Sequence, residues 1–247
     1  MGLKTLFSKE GRQERALQKA CIKAKNPKIK PDDRRPALEF LLHEGSEEAI
    51  CSLLHRFTFN YDTNMVSDED EKNLVYRGLL EHGAATLPAL RKHLASAPTL
   101  SWGLRLLDEI ADEATTWEIL CEVAEHFEPG YDRDPSRKLQ LLSFLAEIDD
   151  PRVGEMLLPY LQDHDEAVRF AVIDGLVARR VEAAREPLLE ILVDEDEESL
   201  RIKNRIAEGL VETGWTVKGF RGSVEKALSE EYVLDGKGHV RHRRPRK

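Results

Sequence analysis

The residues of this chain with the widest chemical range are its eight histidines and three cysteines. Their spacing gathers neither a metal site nor a nucleophile. His239 and His242 stand three apart inside a run of Lys and Arg, and that run reads as a solvated basic tail. Cys21, Cys51 and Cys121 are distant from one another, odd in number and free of any CxxC. They read as buried or idle thiols of a reducing compartment. There is no HExxH, no phosphate-cradling GxxxxGK[ST] and no GxSxG. Gly236-Lys237-Gly238 reads as tail flexibility rather than a nucleotide loop. The expectation is a chain with no catalytic, metal-ligating or cofactor-binding residues.

Two other groups of residues have chemical character. The acidic runs Asp68-Glu69-Asp70-Glu71 and Asp194-Glu195-Asp196-Glu197-Glu198 lack the glycine turn and distal Glu of a calcium loop. Both stand where a helix should begin, and there carboxylates complement the dipole. The aromatics Phe57, Phe59 and Tyr61 lie in one expected loop, and Phe127 and Tyr131 in or beside another. An aromatic on a loop either anchors a partner or folds down over a helix end. Phe59, Tyr61 and Tyr131 are the candidate partner-binding residues. Trp102, Trp117 and Trp215 read as packing residues.

The elements that position them repeat along the chain. An apolar pair spaced i, i+4 recurs six times: Ile50/Leu54, Leu90/Leu94, Leu120/Ala124, Leu157/Leu161, Leu188/Leu192 and Val224/Leu228. Each is preceded by a second amphipathic pattern, such as Leu139/Leu142/Leu145 or Val168/Val172/Leu176. Residues 57–67 and 128–135 read as inserted loop. Asp134-Pro135 and Asp150-Pro151 look like helix starts, Ser67 to Asp70 resembles a capping box, and Gly45, Gly83 and Gly214 fall at helix stops. Gly78, Gly175 and Gly209 sit inside helices, where close approach of a neighbour would justify them. No sustained period-2 alternation announces a strand.

The run Leu157-Leu158-Pro159-Tyr160-Leu161-Gln162-Asp163-His164-Asp165-Glu166-Ala167-Val168-Arg169-Phe170-Ala171 resembles a HEAT-repeat junction. There a helix ends in an Asp turn, and Val-Arg opens the next. A weaker copy runs from Leu188 to Asp196, with Leu200-Arg201 in the place of Val-Arg. The resemblance is sharp over 136–212 and diffuse over 36–127. It implies an all-α fold, a HEAT-like solenoid or α-α superhelix of about six antiparallel helix pairs, and it is nearly silent on function. The expected organisation is a basic capping helix region over 1–30, repeats over 31–229 and a basic flexible tail over 230–247.

Charge narrows the partners. The net charge is −9, yet residues 1–35 carry +7 and residues 236–247 carry +6, which leaves −22 for the segment between them. An acidic repeat body points to a basic protein or peptide as partner and to a protein-binding scaffold as function. The chain is also similar in length and repeat count to the HEAT-like DNA glycosylases of alkylation repair. That resemblance implies a basic concave face with tryptophans and an Asp. Here Trp102 and Asp108 fall on different helix faces, and an acidic body opposes phosphate binding. HEAT-like repeats occur in bilin lyases too, but nothing here marks a bilin site. Residues 1–9, with Leu3, Leu6 and Phe7 ahead of a basic helix, give a third reading as a peripheral membrane contact. Residue 6 is Leu, which departs from a myristoylation signal. No apolar stretch approaches a spanning length and no signal-peptide core is present, so a cytoplasmic protein is expected.

Overall fold

The computed structural model describes residues 9–60 and 65–243. The chain falls into two compact units, Met1–Phe127 and Glu128–Lys247. Their boundary lies within the span expected to form one repeat array.

Unit 1 holds seven described helices: α1 Lys9–Lys25, α2 Pro31–Glu44, α3 Glu47–Leu54, α4 Met65–His82, α5 Leu87–Ser96, α6 Ser101–Ile110 and α7 Glu113–Ala124. Helices α2, α4 and α6 form one layer, and α3, α5 and α7 the other; α1 closes the end against α2 and α3. Unit 2 holds α8 Ser136–Glu147, α9 Val153–Leu157, α10 Glu166–Ala178, α11 Arg185–Val193, α12 Leu200–Thr213 and α13 Arg221–Ala227. Helix α10 packs between α8 and α12, and α11 packs against both α12 and α13. The fold is all-α and built from HEAT-like helix pairs.

Four of the six apolar pairs read from the sequence are wholly buried; of Leu120/Ala124 and Val224/Leu228 only the first member is, and Leu228 lies just past the end of α13. Ile50, Leu54, Leu90, Leu94, Leu157, Leu161, Leu188 and Leu192 are buried, as are Val168, Val172 and Leu176 of α10 and Ile202, Ile206 and Leu210 of α12. One stripe is displaced. Leu139 is half-buried, and α8 faces its core with Lys138, Leu141, Leu142 and Leu145. Gly45 and Gly214 close α2 and α12 in the left-handed region, at φ 67° and 72°. Side-chain caps start α3 (Ser46), α7 (Asp112), α10 (Asp165) and α12 (Ser199).

Consecutive arginines tie α10 to both neighbours. Arg179 donates to the carbonyls of Leu145, Ala146 and Ile148, where α8 ends. Arg180, in the left-handed region at φ 52°, donates to Glu212 O and Thr213 O, where α12 ends. Helix C-termini leave carbonyls without intrahelical donors, and here the guanidinium groups of the intervening repeat supply them.

Two expectations are corrected. Residues 230–243 are not a loose tail and not free of strand: β1 Tyr232–Leu234 pairs antiparallel with β2 Val240–His242. A bridge between Thr216 and His239 extends the pairing. Gly236-Lys237-Gly238 is the hairpin turn, and the Asp235 carboxylate accepts the backbone N–H groups of Lys237 and His239. Strands of three residues are too short to show alternation, so the Asp-Gly turn was the legible signal. The second correction concerns Ser67. Helix α4 begins at Met65, so Ser67 lies within it rather than capping it.

Gly175 tests the packing argument. A Cβ built there would stand 2.9 Å from Ala146 Cβ and 3.0 Å from Leu157 Cδ1. The Ala146 methyl cannot rotate away, whereas the Leu42 tip facing Gly78 can. Gly175→Ala is therefore expected to destabilise by about 1–3 kcal/mol through overpacking, although Gly to Ala in a helix interior ordinarily gains up to about 1 kcal/mol. Urea denaturation of the two variants checks it: Gly78→Ala should cost clearly less than Gly175→Ala.

Candidate functional site

Each unit contains an aromatic loop fixed from below by buried charge. In unit 1 the stripe of α4 that faces inward is Asp68, Glu71, Lys72, Val75 and Leu79, so its first half is ionic. Glu71 Oε2 accepts from Arg34 Nε at 3.0 Å and from Arg56 Nε at 2.9 Å. Asp68 Oδ1 accepts from Arg56 Nη2 at 2.5 Å, and Asp68 Oδ2 lies 2.7 Å from Lys72 Nζ. Burial alone would raise the Asp68 carboxyl, but its hydrogen bonds to Lys72 and Arg56 outweigh that and hold it below the usual range. The run expected to serve the helix dipole thus supplies two buried ion partners.

This network seats the first loop. Arg56 Nη1 donates to Phe59 O at 2.9 Å, and Lys72 Nζ donates to Asn60 Oδ1 at 2.6 Å. The Arg34 and Arg56 guanidinium carbons stand 5.2 and 4.6 Å from the centre of the Phe59 ring. Phe57 is buried and stacked on Trp102, with centroids 5.3 Å apart. Phe59 is half-buried, so much of its ring is committed to two arginines of its own chain. Tyr61 lies outside the described residues, as do residues 1–8 of the segment read as a membrane contact.

In unit 2 the Lys138 ammonium meets Asp163 Oδ2 at 2.8 Å, with side chains 1% and 0% exposed. Asp163 Oδ2 also accepts from Gly130 N at 3.1 Å, and Lys138 Nζ donates to Gly130 O at 3.1 Å. The other Asp163 oxygen accepts from Asp165 N at 2.9 Å. Burial would raise the Asp163 carboxyl; Lys138 and the two backbone N–H groups outweigh it and lower it. Gly130 is thereby held at both its N–H and its carbonyl, and Tyr131 follows, 79% exposed. Its ring meets His164 edge-on at 6.5 Å. Arg169 then joins the next loop, with Nη1 on Asp163 O and His164 O and Nη2 3.0 Å from Glu197 Oε2.

Three neighbouring loops of unit 2 thus form one edge. Its exposed side chains include Tyr131, the acids Glu128, Asp132, Asp134, Asp194, Glu195, Asp196 and Glu198, His164 and one cation of the Tyr131 loop, Arg133. Phe59 and Tyr131 lie in different units. Sequence reasoning missed the anchors Lys138 and Asp163. The available signal was helical spacing: Lys138 precedes Leu141, Leu142 and Leu145 by three, four and seven, so it sits on the core stripe.

The two histidines of the C-terminal segment go to different acids. His239 Nδ1 is 3.3 Å from Asp235 Oδ2, and His242 Nε2 is 3.3 Å from Glu208 Oε2. Tyr232 OH donates to the same Glu208 oxygen at 2.9 Å, and burial together with that carboxylate pushes its pKa up to about 12. Among the described residues, no three His, Cys, Asp or Glu side chains gather to hold a metal ion. No described helix is long and apolar enough to cross a membrane.

A family model of HEAT repeats matches residues 120–207. The match covers about a third of the chain. The matched HEAT segment runs from within α7 into α12 and contains both anchors of the Tyr131 loop. HEAT repeats generally mediate protein–protein interaction, and the family is typically non-enzymatic. No curated protein and no solved structure matches the chain.

Removing one partner of a buried ion pair leaves an uncompensated charge and costs about 3–5 kcal/mol. Lys138→Met should therefore destabilise by about that amount. Lys138→Met/Asp163→Asn should lose less, because both charges go while an acceptor for Gly130 N remains; chemical denaturation compares the two. The depressed Asp68 and Asp163 carboxyls also set an acid limit. Each stabilises the fold while ionised, so its contribution is present above the unfolded pKa of about 4 and is lost as pH falls through the lower folded value. Denaturation midpoints should hold from about pH 7 to 5 and fall below about pH 4, less steeply in the double variant.

Proposed function

We propose that this HEAT-repeat chain is a non-enzymatic protein-interaction module and that the acidic loop edge of unit 2 receives a basic segment of its partner. The observation that carries the reading is Tyr131: an aromatic residue 79% exposed, on a loop whose backbone is pinned by a buried ion pair. A solvent-facing aromatic on a rigid loop costs little ordering entropy when a partner covers it. It also offers a face to an Arg or Lys side chain. The surrounding carboxylates complement that cation and steer its approach.

The reading rests on Tyr131 and not on Phe59, whose ring is already covered by Arg34 and Arg56. The acidic body that favours a basic protein also opposes a nucleic-acid partner at this edge.

The test is a photo-crosslinking side chain at position 131, followed by mass spectrometry of the captured partner and affinity measurement with the purified pair. The crosslink should fall on a Lys- or Arg-rich segment. Tyr131→Ala should weaken binding by about thirtyfold, the scale of an interface hot spot of about 2 kcal/mol. Raising salt from about 0.05 to 0.5 M should weaken it further. Unchanged affinity for Tyr131→Ala, or crosslinks confined to acidic segments, would overturn the reading.

A further inference from the structure

Helix α1 has two faces with different tasks. Leu17, Ala20, Cys21 and Ala24 recur at i, i+3, i+4 and i+7, and the last three are buried against α2 and α3. On the opposite side the same periodicity sets Arg12, Arg15, Lys19, Ile22 and Lys23. Arg12, Lys19 and Lys23 are exposed, and Ile22 is 67% exposed between the two lysines. The connection to α2 adds Lys25, Lys28 and Lys30, all exposed. Residues 11–30 carry seven basic residues and one acid, Glu14. Glu48 of α3 lines a shallow pocket with Gln18, Cys21, Ile22 and Lys25, on the flank of this face and off the line of Arg12, Lys19 and Lys23.

We propose that this outward face of α1 docks on an anionic lipid bilayer. Charge complementarity is the first reason. Basic residues clustered on a helix surface gain about 1 kcal/mol each near an anionic leaflet. Ile22 decides among polyanions. A side chain that is two-thirds exposed at the border of a basic face gains from an acyl boundary and gains nothing from a phosphodiester backbone. The flanking groups are lysines, whose long stems can lie along an apolar surface while their ammonium groups stay at headgroup level. The exposed part of this face carries no aromatic ring on which a base could stack. The docked helix lies in the interface plane and does not insert across it. This face is in unit 1 and is independent of the Tyr131 edge.

Co-sedimentation of the full chain with vesicles of pure phosphatidylcholine, and of phosphatidylcholine with about one-third phosphatidylserine, tests the proposal. Binding is expected to the anionic vesicles, to be weak on the neutral ones, and to fall with salt. Lys19→Glu/Lys23→Glu should reduce the partition coefficient by about thirtyfold or more. Ile22→Ser leaves the charge unchanged and should reduce it by about tenfold. All three positions are exposed, so circular dichroism and thermal midpoints should match the parent chain; these are the folding controls. Equal binding to both vesicle types, or either variant binding like the parent, overturns the proposal. So does tight binding of labelled duplex DNA by a chain that ignores anionic vesicles, which would assign the face to nucleic acid.

Discussion

Inside unit 2 the Lys138 ammonium has no bulk water to solvate it, and the Asp163 carboxylate has none either. Each is tolerable in the core only because the other is present and because Gly130 and Asp165 satisfy what remains of their hydrogen bonding. This constraint reaches beyond the pair. Lys138 opens the core stripe of α8, and Asp163 is the turn between α9 and α10. The ion pair therefore sets the register of one helix against the next repeat while fixing the loop that enters α8. Arg169 extends the same fixing to the loop before α12 through Glu197. A hydrophobic pair in these positions could fill the space. It could not hold Gly130 by both its N–H and its carbonyl, and Tyr131 would then have no fixed place at the surface.

Unit 1 uses the same device with more members. Arg34, Arg56, Asp68, Glu71 and Lys72 form a buried lattice in which the arginines have a second task, covering the face of Phe59. The outcomes of the two loops differ for that reason. Where the anchors are arginines, their flat guanidinium groups draw the loop aromatic down onto themselves. Where the anchor is a lysine, its ammonium is engaged by a carboxylate and a carbonyl, and Tyr131 stays outside.

The sequence made much of the helical frame legible because the frame rests on periodic apolar burial. The pairs Leu157/Leu161 and Leu188/Leu192 and the stripes of α10 and α12 are buried where their spacing puts them. The site was less legible because its decisive residues are charged, and charge in a sequence is ordinarily read as solvent exposure. Lys138, Asp68 and Glu71 each continue an apolar helical stripe by one turn. Only that spacing, set against the side-chain type, marks them as buried. The C-terminal hairpin escaped for a different reason. Its strands are three residues long, so no alternation could develop. Its stability comes from contacts distant in sequence: the Asp235 turn, the Thr216 bridge and the Glu208 hydrogen bond from Tyr232.

Charge bookkeeping by segment also needs to be divided by what the fold consumes. Of the five acids at 194–198, Glu197 is taken up by Arg169, and Asp194 turns its own backbone by accepting from Asp196 N. Asp163 is wholly internal. The exposed remainder at this edge, from Glu128, Asp132 and Asp134 through Glu195, Asp196 and Glu198, is still acidic on balance, although Arg133 stands exposed among them. On α1 the buried face is apolar and the cations stand on the other side. The chain therefore presents two surfaces of opposite net sign, each with an exposed apolar or aromatic side chain beside its charges. A charged surface alone attracts many partners weakly. The uncharged side chain, Tyr131 in one and Ile22 in the other, supplies the short-range term that distinguishes among them.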